Sequence, residues 1–365
     1  MTDPLPELSI GDRSPNFVLP GLDGEFYSFH ERVRGNRTLL FLSSGLDQKT
    51  DSIITALDSA RRDFEALATD VLAVVSGTVE EVAVSAAARE ATELPFQIFA
   101  DVKGKILQGF REMLRDSTST PISLVLDANQ RVLMRIDADN GAGEYVDSTI
   151  AYLKSVPQPS DRHVLGNSAP VLLVPNVIEP ELCSALIHRW QTMGHEEGKV
   201  QSVLDGRDHE RVAFEGKRRL DHYIQDQALT RELGLRVVRR LAPEIEKAYR
   251  FEGFRLDPFL IGCYQAERKD FFRPHRDNLS PTNADRMFAL SINLNAEEYD
   301  GGDLRFPEYG PHLYRPGTGA ALVFSCSLIH EALPVTRGRR FVLLNFMRDV
   351  RPPGAPRTGR PAGGV

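Results

Sequence analysis

Two prolines set among small polar residues, in Val156-Pro157-Gln158-Pro159-Ser160-Asp161-Arg162, limit this chain more than any other feature. Each proline removes a backbone donor and fixes φ, so neither a helix nor a central strand runs through the segment, and it reads as an extended linker. At 365 residues the chain is also longer than one hydrophobic core usually serves. Charge divides at the same place. Residues 1–160 hold 15 Lys and Arg against 24 Asp and Glu, a balance of -9, while residues 161–365 hold 29 against 27, a balance of +2. The expected organisation is a first domain over 1–156, a linker over 157–169, a second domain over 170–350 and a disordered tail over 351–365, where Arg, Pro and Gly displace the apolar residues a packed element needs.

Composition then removes several function classes. With 41% apolar and 26% charged residues the chain has the make-up of a globular protein rather than a disordered or multi-spanning one. No apolar run is long enough for a membrane span, and the start from Met1 to Glu7 lacks a basic segment followed by an apolar one, so the expected location is cytoplasmic with no membrane partner. The acidic first part repels phosphate backbones, so no nucleic-acid partner is expected. Cys183, Cys263 and Cys326 are odd in number and lack CxxC spacing, which argues for reduced thiols rather than a disulfide framework or a cysteine zinc site.

In the first part, β-rich apolar runs at 38–42, 71–75 and 122–126 read as buried strands. Helical spacings lie between them: Ile53, Leu57, Ala60, Phe64 and Leu67; Val82, Ala86 and Arg89; Ile106, Phe110 and Met113. A hairpin turning at Asp127 to Gln130 and a last helix with Tyr145, Ile150 and Leu153 complete an α/β sandwich with a mainly parallel sheet. In the second part, Leu182, Ala185, Leu186 and Trp190 mark one helix, and Leu229, Leu233, Val237, Leu241 and Ile245 another. Short strands at 259–264, 287–294, 320–324 and 341–346 follow, separated by Gly, Pro and Asp turns, and predict an α+β unit with a sandwich or barrel core.

The sharpest chemical signal is Pro274-His275-Arg276-Asp277-Asn278, followed 53 residues after Asp277 by His330. Two imidazoles and one carboxylate are the ligand set of the facial triad of non-haem Fe(II) oxygenases, and three protein ligands leave octahedral positions open. On a strand, residues i and i+2 share a face, so His275 and Asp277 can address one ion while His330 arrives from a neighbouring strand. An HxD pair alone is common on solvated loops; the distal histidine and a basic residue ten positions later, Arg340, set this one apart. Arg340 can pair bidentately with a carboxylate inside the barrel, with Arg337 and Arg339 as alternatives. Tyr264 offers a phenol to the same carboxylate or is a core tyrosine. His30, His163, His188, His195, His209 and His222 stand singly among polar residues and read as surface or capping groups, and His312 has no acidic residue at i+2.

From Pro170 to Asp349 these residues resemble the prolyl 4-hydroxylase branch of the Fe(II)/2-oxoglutarate-dependent oxygenases. The likeness runs through Val171 to Cys183, Cys263-Tyr264, His275 and Asp277, Arg286 with Ile292 to Asn295, Asp300-Gly301-Gly302-Asp303, Pro316-Gly317-Thr318-Gly319, and His330. It implies a double-stranded β-helix (jelly roll, cupin-like) core, iron on His275, Asp277 and His330, and the distal carboxylate of 2-oxoglutarate on Arg340 and Tyr264. Arg340 stands where many members have lysine. The presence of Asp277 favours hydroxylation over halogenation, and Asn293 stands where relatives commonly carry a tyrosine. Ascorbate is the expected reductant, and the substrate is a small molecule, a peptide or a protein side chain.

Ile10-Gly11-Asp12-Arg13-Ser14-Pro15-Asn16-Phe17 through Gly24 resembles the opening of peroxiredoxins, and Thr120-Pro121 looks like the cis-proline loop of that thioredoxin-like fold. The likeness covers about 8–155, yet residues 1–182 contain no cysteine, so peroxidase chemistry has no thiolate to start from. The expected role of this domain is docking, substrate presentation or holding a homodimer. A rival reading makes the whole chain an inactive scaffold of two relic domains, and another a redox protein using one of the three cysteines.

Overall fold

The computed structural model describes residues 7–32, 35–87, 97–118, 120–138, 141–157, 164, 166–204 and 207–350. The expected tail, most of the expected linker, His163 and Arg89 lie outside the described residues. Contacts divide the chain into two compact units, Met1–Arg162 and His163–Val365.

In the first unit a five-stranded sheet runs in the order Gln97–Asp101, Thr69–Ser76, Arg37–Ser43, Ile122–Leu126, Val132–Asp137. The central strands are apolar at nearly every position because both faces are covered, as sheets of crossover helices require. Leu39 and Phe41 pack into one apolar cluster and Leu40 and Leu42 into another. The sheet is mixed rather than mainly parallel: Arg37–Ser43 pairs parallel with Thr69–Ser76 and antiparallel with Ile122–Leu126. A tight turn at Asp127 to Gln130 can only return the chain antiparallel, which fixes the last pairing. Gln97–Asp101 has no counterpart among the expected strands because its apolar stretch is only Ile98-Phe99-Ala100. The periodic run from Ile53 to Leu67 forms two helices, Gln48–Ser59 and Arg61–Ala66, separated at Ala60. No peptide bond among the described residues is cis, so the expected cis proline at Thr120-Pro121 is corrected to the ordinary trans form.

Asp47 starts the helix Gln48–Ser59, its carboxylate accepting from the Thr50 amide at 2.7 Å. Asp47→Ala leaves that amide without its cap, and a loss of about 1 kcal/mol in the unfolding free energy of the first unit is expected in a denaturant titration.

In the second unit the larger sheet has the order Leu172–Val174, Ala321–Ser325, Arg286–Asn293, Arg339–Asp349, Leu260–Gln265, Leu220–Tyr223, Glu196–Glu197, with Phe254–Leu256 added beside Arg339–Asp349. The smaller sheet is Lys217–Arg218, Phe271–His275, His330–Ala332, Leu304–Arg305, Leu313–Tyr314. Helices Pro180–Thr192 and Gln227–Arg240 bury Leu186, Trp190, Leu233 and Val237 on one face of the larger sheet. The other face meets the smaller sheet through Tyr264, Phe306, Phe324 and Ala332. The expected single helix from Leu229 to Ile245 breaks at Leu241, because Pro243 opens a separate helix, Ala242–Tyr249. Between the first two helices no strand is expected from the sequence pattern. The chain there nevertheless feeds strands to both sheets, and one of them carries a side chain of the site.

Candidate active site

The strands Phe271–His275 and His330–Ala332 are antiparallel neighbours with His275 opposite His330. Asp277 lies beyond the strand end rather than within it, which corrects the expected i, i+2 strand geometry. Pro274 cannot donate to the ladder. The Asp277 amide instead donates to the Cys326 carbonyl at 3.0 Å, which turns the residue back towards the histidines. One ligand atom from each of His275, Asp277 and His330 falls within 4.8 Å of the others.

Hydrogen bonding fixes what these atoms offer. Nδ1 of His275 lies 2.7 Å from the Arg273 carbonyl, and Nδ1 of His330 lies 3.1 Å from the Leu328 carbonyl. A carbonyl only accepts, so both Nδ1 atoms carry protons and a neutral ring turns the Nε2 lone pair the other way. Those Nε2 atoms stand 3.5 and 3.4 Å from the two Asp277 oxygens. Lone pairs facing a carboxylate repel unless a cation lies among them, so the donor set fits a metal ion whose ligands are oriented by backbone carbonyls. Burial pushes the His330 imidazolium down to about 4, outweighing Asp277, so the ring is neutral near pH 7. Burial pushes Asp277 the opposite way, but His330 and His275 overcome it and hold the carboxyl at about 2. Phe272 stacks on His275 at 3.5 Å between ring centroids, and Phe324 lies 4.6 Å from His330, so apolar rings screen the trio from water.

Arg340 and Tyr264 are cross-strand partners between Arg339–Asp349 and Leu260–Gln265. Period-two alternation sends Arg339 outward and Arg340 inward, where it is 4% exposed, while Arg337 is exposed and paired with Asp300. The Arg340 guanidinium stands 5.2 Å from the Tyr264 ring centroid, and its Nε and Nη1 atoms are buried without a hydrogen-bond partner among the described residues. Gly302, at φ 66°, admits this side chain: a Cβ there would lie 3.1 Å from Arg340 Cδ. A buried guanidinium with idle donors is costly until an anion arrives, and a carboxylate matches its fork.

A cavity of about 640 Å³ takes in His275, Asp277, His330, Tyr264 and Arg340, and so joins the five candidate ligand and co-substrate residues. It also holds two that the sequence pattern did not mark. Lys217 and Arg219, both buried, line the same space and share Asp221: Arg219 holds it at 2.5 and 2.9 Å, Lys217 at 3.2 Å. Arg219 also reaches the Tyr264 hydroxyl at 3.4 Å. Charges at i, i+2 and i+4 of Lys217-Arg218-Arg219-Leu220-Asp221 were the available signal, since alternate residues of a strand share a face. Asn293 donates to Tyr299 at 2.7 Å and to the Pro316 carbonyl at 2.8 Å, and it does not line the cavity. His312 is exposed, and His195 stacks on Trp190.

The first unit offers no comparable chemistry among its described residues. After the strand Arg37–Ser43, Ser43 and Thr50 bond each other at 2.8 Å where a nucleophile would be needed. The three cysteines are buried in the second unit, and burial pushes the Cys183 and Cys263 thiols up to about 12 and Cys326 higher still. No thiol-dependent peroxidase activity is therefore expected. Peroxide consumption coupled to a dithiol, at a rate above that of a cysteine-free variant, would contradict this.

Residues 260–348 match the model of the 2OG-Fe(II) oxygenase superfamily and residues 10–135 that of the AhpC/TSA family. Procollagen-lysine,2-oxoglutarate 5-dioxygenase 1 of Rattus norvegicus is 26% identical over 172 residues, 45% of this chain and 22% of the relative. Procollagen-lysine,2-oxoglutarate 5-dioxygenase 2 of Homo sapiens is 31% identical over 103 residues, 27% of this chain and 13% of the relative. The chain thus spans 22% or less of the length of these curated relatives. Among solved structures, a Pseudomonas putida prolyl-4-hydroxylase is 21% identical, with 50% of this chain and 95% of that one covered and a TM-score of 0.38. Peroxidoxin BcpB from Mycobacterium tuberculosis is 16% identical, with 42% and 100% covered and a TM-score of 0.37. No helix among the described residues is long and apolar enough to cross a membrane. The chain joins, in order, a segment that resembles the AhpC/TSA family and one that resembles the 2OG-Fe(II) oxygenase superfamily.

Proposed function

We propose that the second unit is an Fe(II)- and 2-oxoglutarate-dependent dioxygenase that hydroxylates a C–H bond of a small molecule or peptide. The observation that supports it most is the unpaired, buried Arg340 in the same cavity as three convergent metal-type ligands. In this reading the two facing sheets are a double-stranded β-helix over 170–350, His275, Asp277 and His330 hold iron, and Arg340 with Tyr264 takes the distal carboxylate of the co-substrate. When bound, iron with 2-oxoglutarate and dioxygen supplies an oxidant that puts one oxygen atom into the C–H bond and the other into succinate, as carbon dioxide leaves. The protein's own contribution is positional. Backbone carbonyls hold both imidazoles with Nε2 inward, Arg219 steadies the Tyr264 phenol, and Phe272, Phe306 and Phe324 keep water off the trio. Ascorbate serves to keep iron ferrous. The first unit, over 1–156, acts as a docking, substrate-presenting or dimerising module in a cytoplasmic protein.

Anaerobic addition of Fe(II) and then 2-oxoglutarate is expected to produce a weak visible absorption band that needs both components. Succinate release should match substrate molecules gaining one oxygen in mass. A mixture that stays colourless and binds neither component would favour an inactive scaffold.

A further inference from the structure

The charges in the buried part of the cavity leave one cation over. On the proposed reading, Fe(II) is balanced by Asp277 and the metal-bound carboxylate of 2-oxoglutarate, and Arg340 by the distal carboxylate. Lys217 and Arg219 then remain against the single carboxylate Asp221, a surplus of one positive charge. Both side chains are buried, at 4% and 6% exposure, where an unmatched charge is costly. The Lys217 ammonium donates two of its three protons, to Asp221 at 3.2 Å and the Lys199 carbonyl at 3.0 Å. Among the described residues the third has no acceptor. Lys217 is also close to the chemistry: its ammonium stands 5.2 Å from the centroid of the Phe272 ring that stacks on His275. Burial, with Arg219 beside it, pushes the ammonium down to about 8, the mark of a cation short of counter-charge.

The rim repeats this bias. Among the described residues five further cations, Lys199, Arg211, Arg273, Arg276 and Arg286, line the cavity beside one further carboxylate, Glu215, in a chain whose formal charge is -7. Four of them are answered, Lys199 by Glu196, Arg211 by Glu215, Arg276 by Glu308 and Arg286 by Asp257. Among the described residues the side chain of Arg273, exposed at the mouth, reaches only the Glu215 carbonyl and the Phe271 ring. Tyr223 and Leu279, both exposed, add apolar surface to the same lining.

We propose that the primary substrate carries a carboxylate that Lys217 receives, with Arg273 drawing it in at the mouth, so that the enzyme selects an anionic substrate and rejects a cationic one. A surplus of one charge matches a monoanion, a match that rests on the function proposed above. A lysine-like ammonium would instead add a cation to a wall already short of carboxylates.

The test is titration calorimetry of the full chain holding Zn(II), which does not turn over, and saturating 2-oxoglutarate. The probes are N-acetylglutamate α-amide, whose only charge is the side-chain carboxylate, the neutral N-acetylglutamine amide and the cationic N-acetyllysine amide. N-acetylglutamate α-amide is expected to bind at least about tenfold more tightly than the neutral amide, and the lysine probe not to bind. Lys217→Gln should bring the glutamate and glutamine probes within about threefold of each other, Lys217→Arg should keep the preference, and Arg273→Gln, at an exposed position that does not threaten folding, should weaken it severalfold. Zinc and 2-oxoglutarate binding without any charge preference would overturn the substrate assignment alone. So would a Lys217→Gln variant that loses 2-oxoglutarate as strongly as the probe, since Lys217 would then be a co-substrate anchor. Failure to bind zinc and 2-oxoglutarate at all would overturn the proposed function with it.

Discussion

Asp277→Ala is expected to lower iron affinity and turnover by at least about two orders of magnitude, the scale on which loss of a ligand and its charge is felt. Both imidazoles aim Nε2 at this carboxylate, so its removal takes away a donor atom and the negative charge that draws a dication to the site. The fold should survive. The bond that places residue 277 runs from its backbone amide to the Cys326 carbonyl, and alanine keeps it. Metal titration followed by fluorescence or calorimetry, with a circular dichroism spectrum matching the parent, checks both halves. Turnover within a few-fold of the parent would remove Asp277 from the ligand set and collapse the triad.

Arg340→Ala should raise the 2-oxoglutarate requirement about ten- to one-hundred-fold, equivalent to roughly 1.4–2.7 kcal/mol, while leaving metal affinity nearly unchanged. Among the described residues the buried Nε and Nη1 atoms of Arg340 have no partner, so the same substitution should not destabilise the ligand-free protein beyond the loss of packing on Tyr264. A large loss of co-substrate binding beside a small change in apo stability would be hard to obtain from a purely structural arginine. An unchanged 2-oxoglutarate titration would move the anchor to Arg219, which lines the same cavity.

Residue types and their order are enough to set the division of labour in this chain. The prolines near residue 157 and the change of charge around them separate an acidic first part from a near-neutral second. The absence of cysteine from 1–182 removes thiol chemistry from the first, whatever its fold. His275, Asp277, His330 and Arg340 were legible because metal and carboxylate recognition need particular atoms, and few residue types supply them. The strand runs from Leu39 to Leu42 and from Phe288 to Ile292 were legible for a different reason: strands covered on both faces are apolar at nearly every position.

What depends on pairing became definite in three dimensions. The direction of Ile122–Leu126 against Arg37–Ser43 is a property of two strands together, and no periodicity in either one encodes it. Asp277 reaches the site through a turn held by the distant Cys326 carbonyl, rather than through the strand alternation its spacing suggests. Lys217 and Arg219 look in sequence like part of a solvated basic run with Arg218. Their burial is fixed by pairing far along the chain, Lys217 opposite Phe272 and the adjoining Leu220 opposite Cys263, and by Asp221, which supplies the charge that makes such burial possible. Long-range pairing turns that run inward, and with it the charge of the cavity wall becomes a property of the fold.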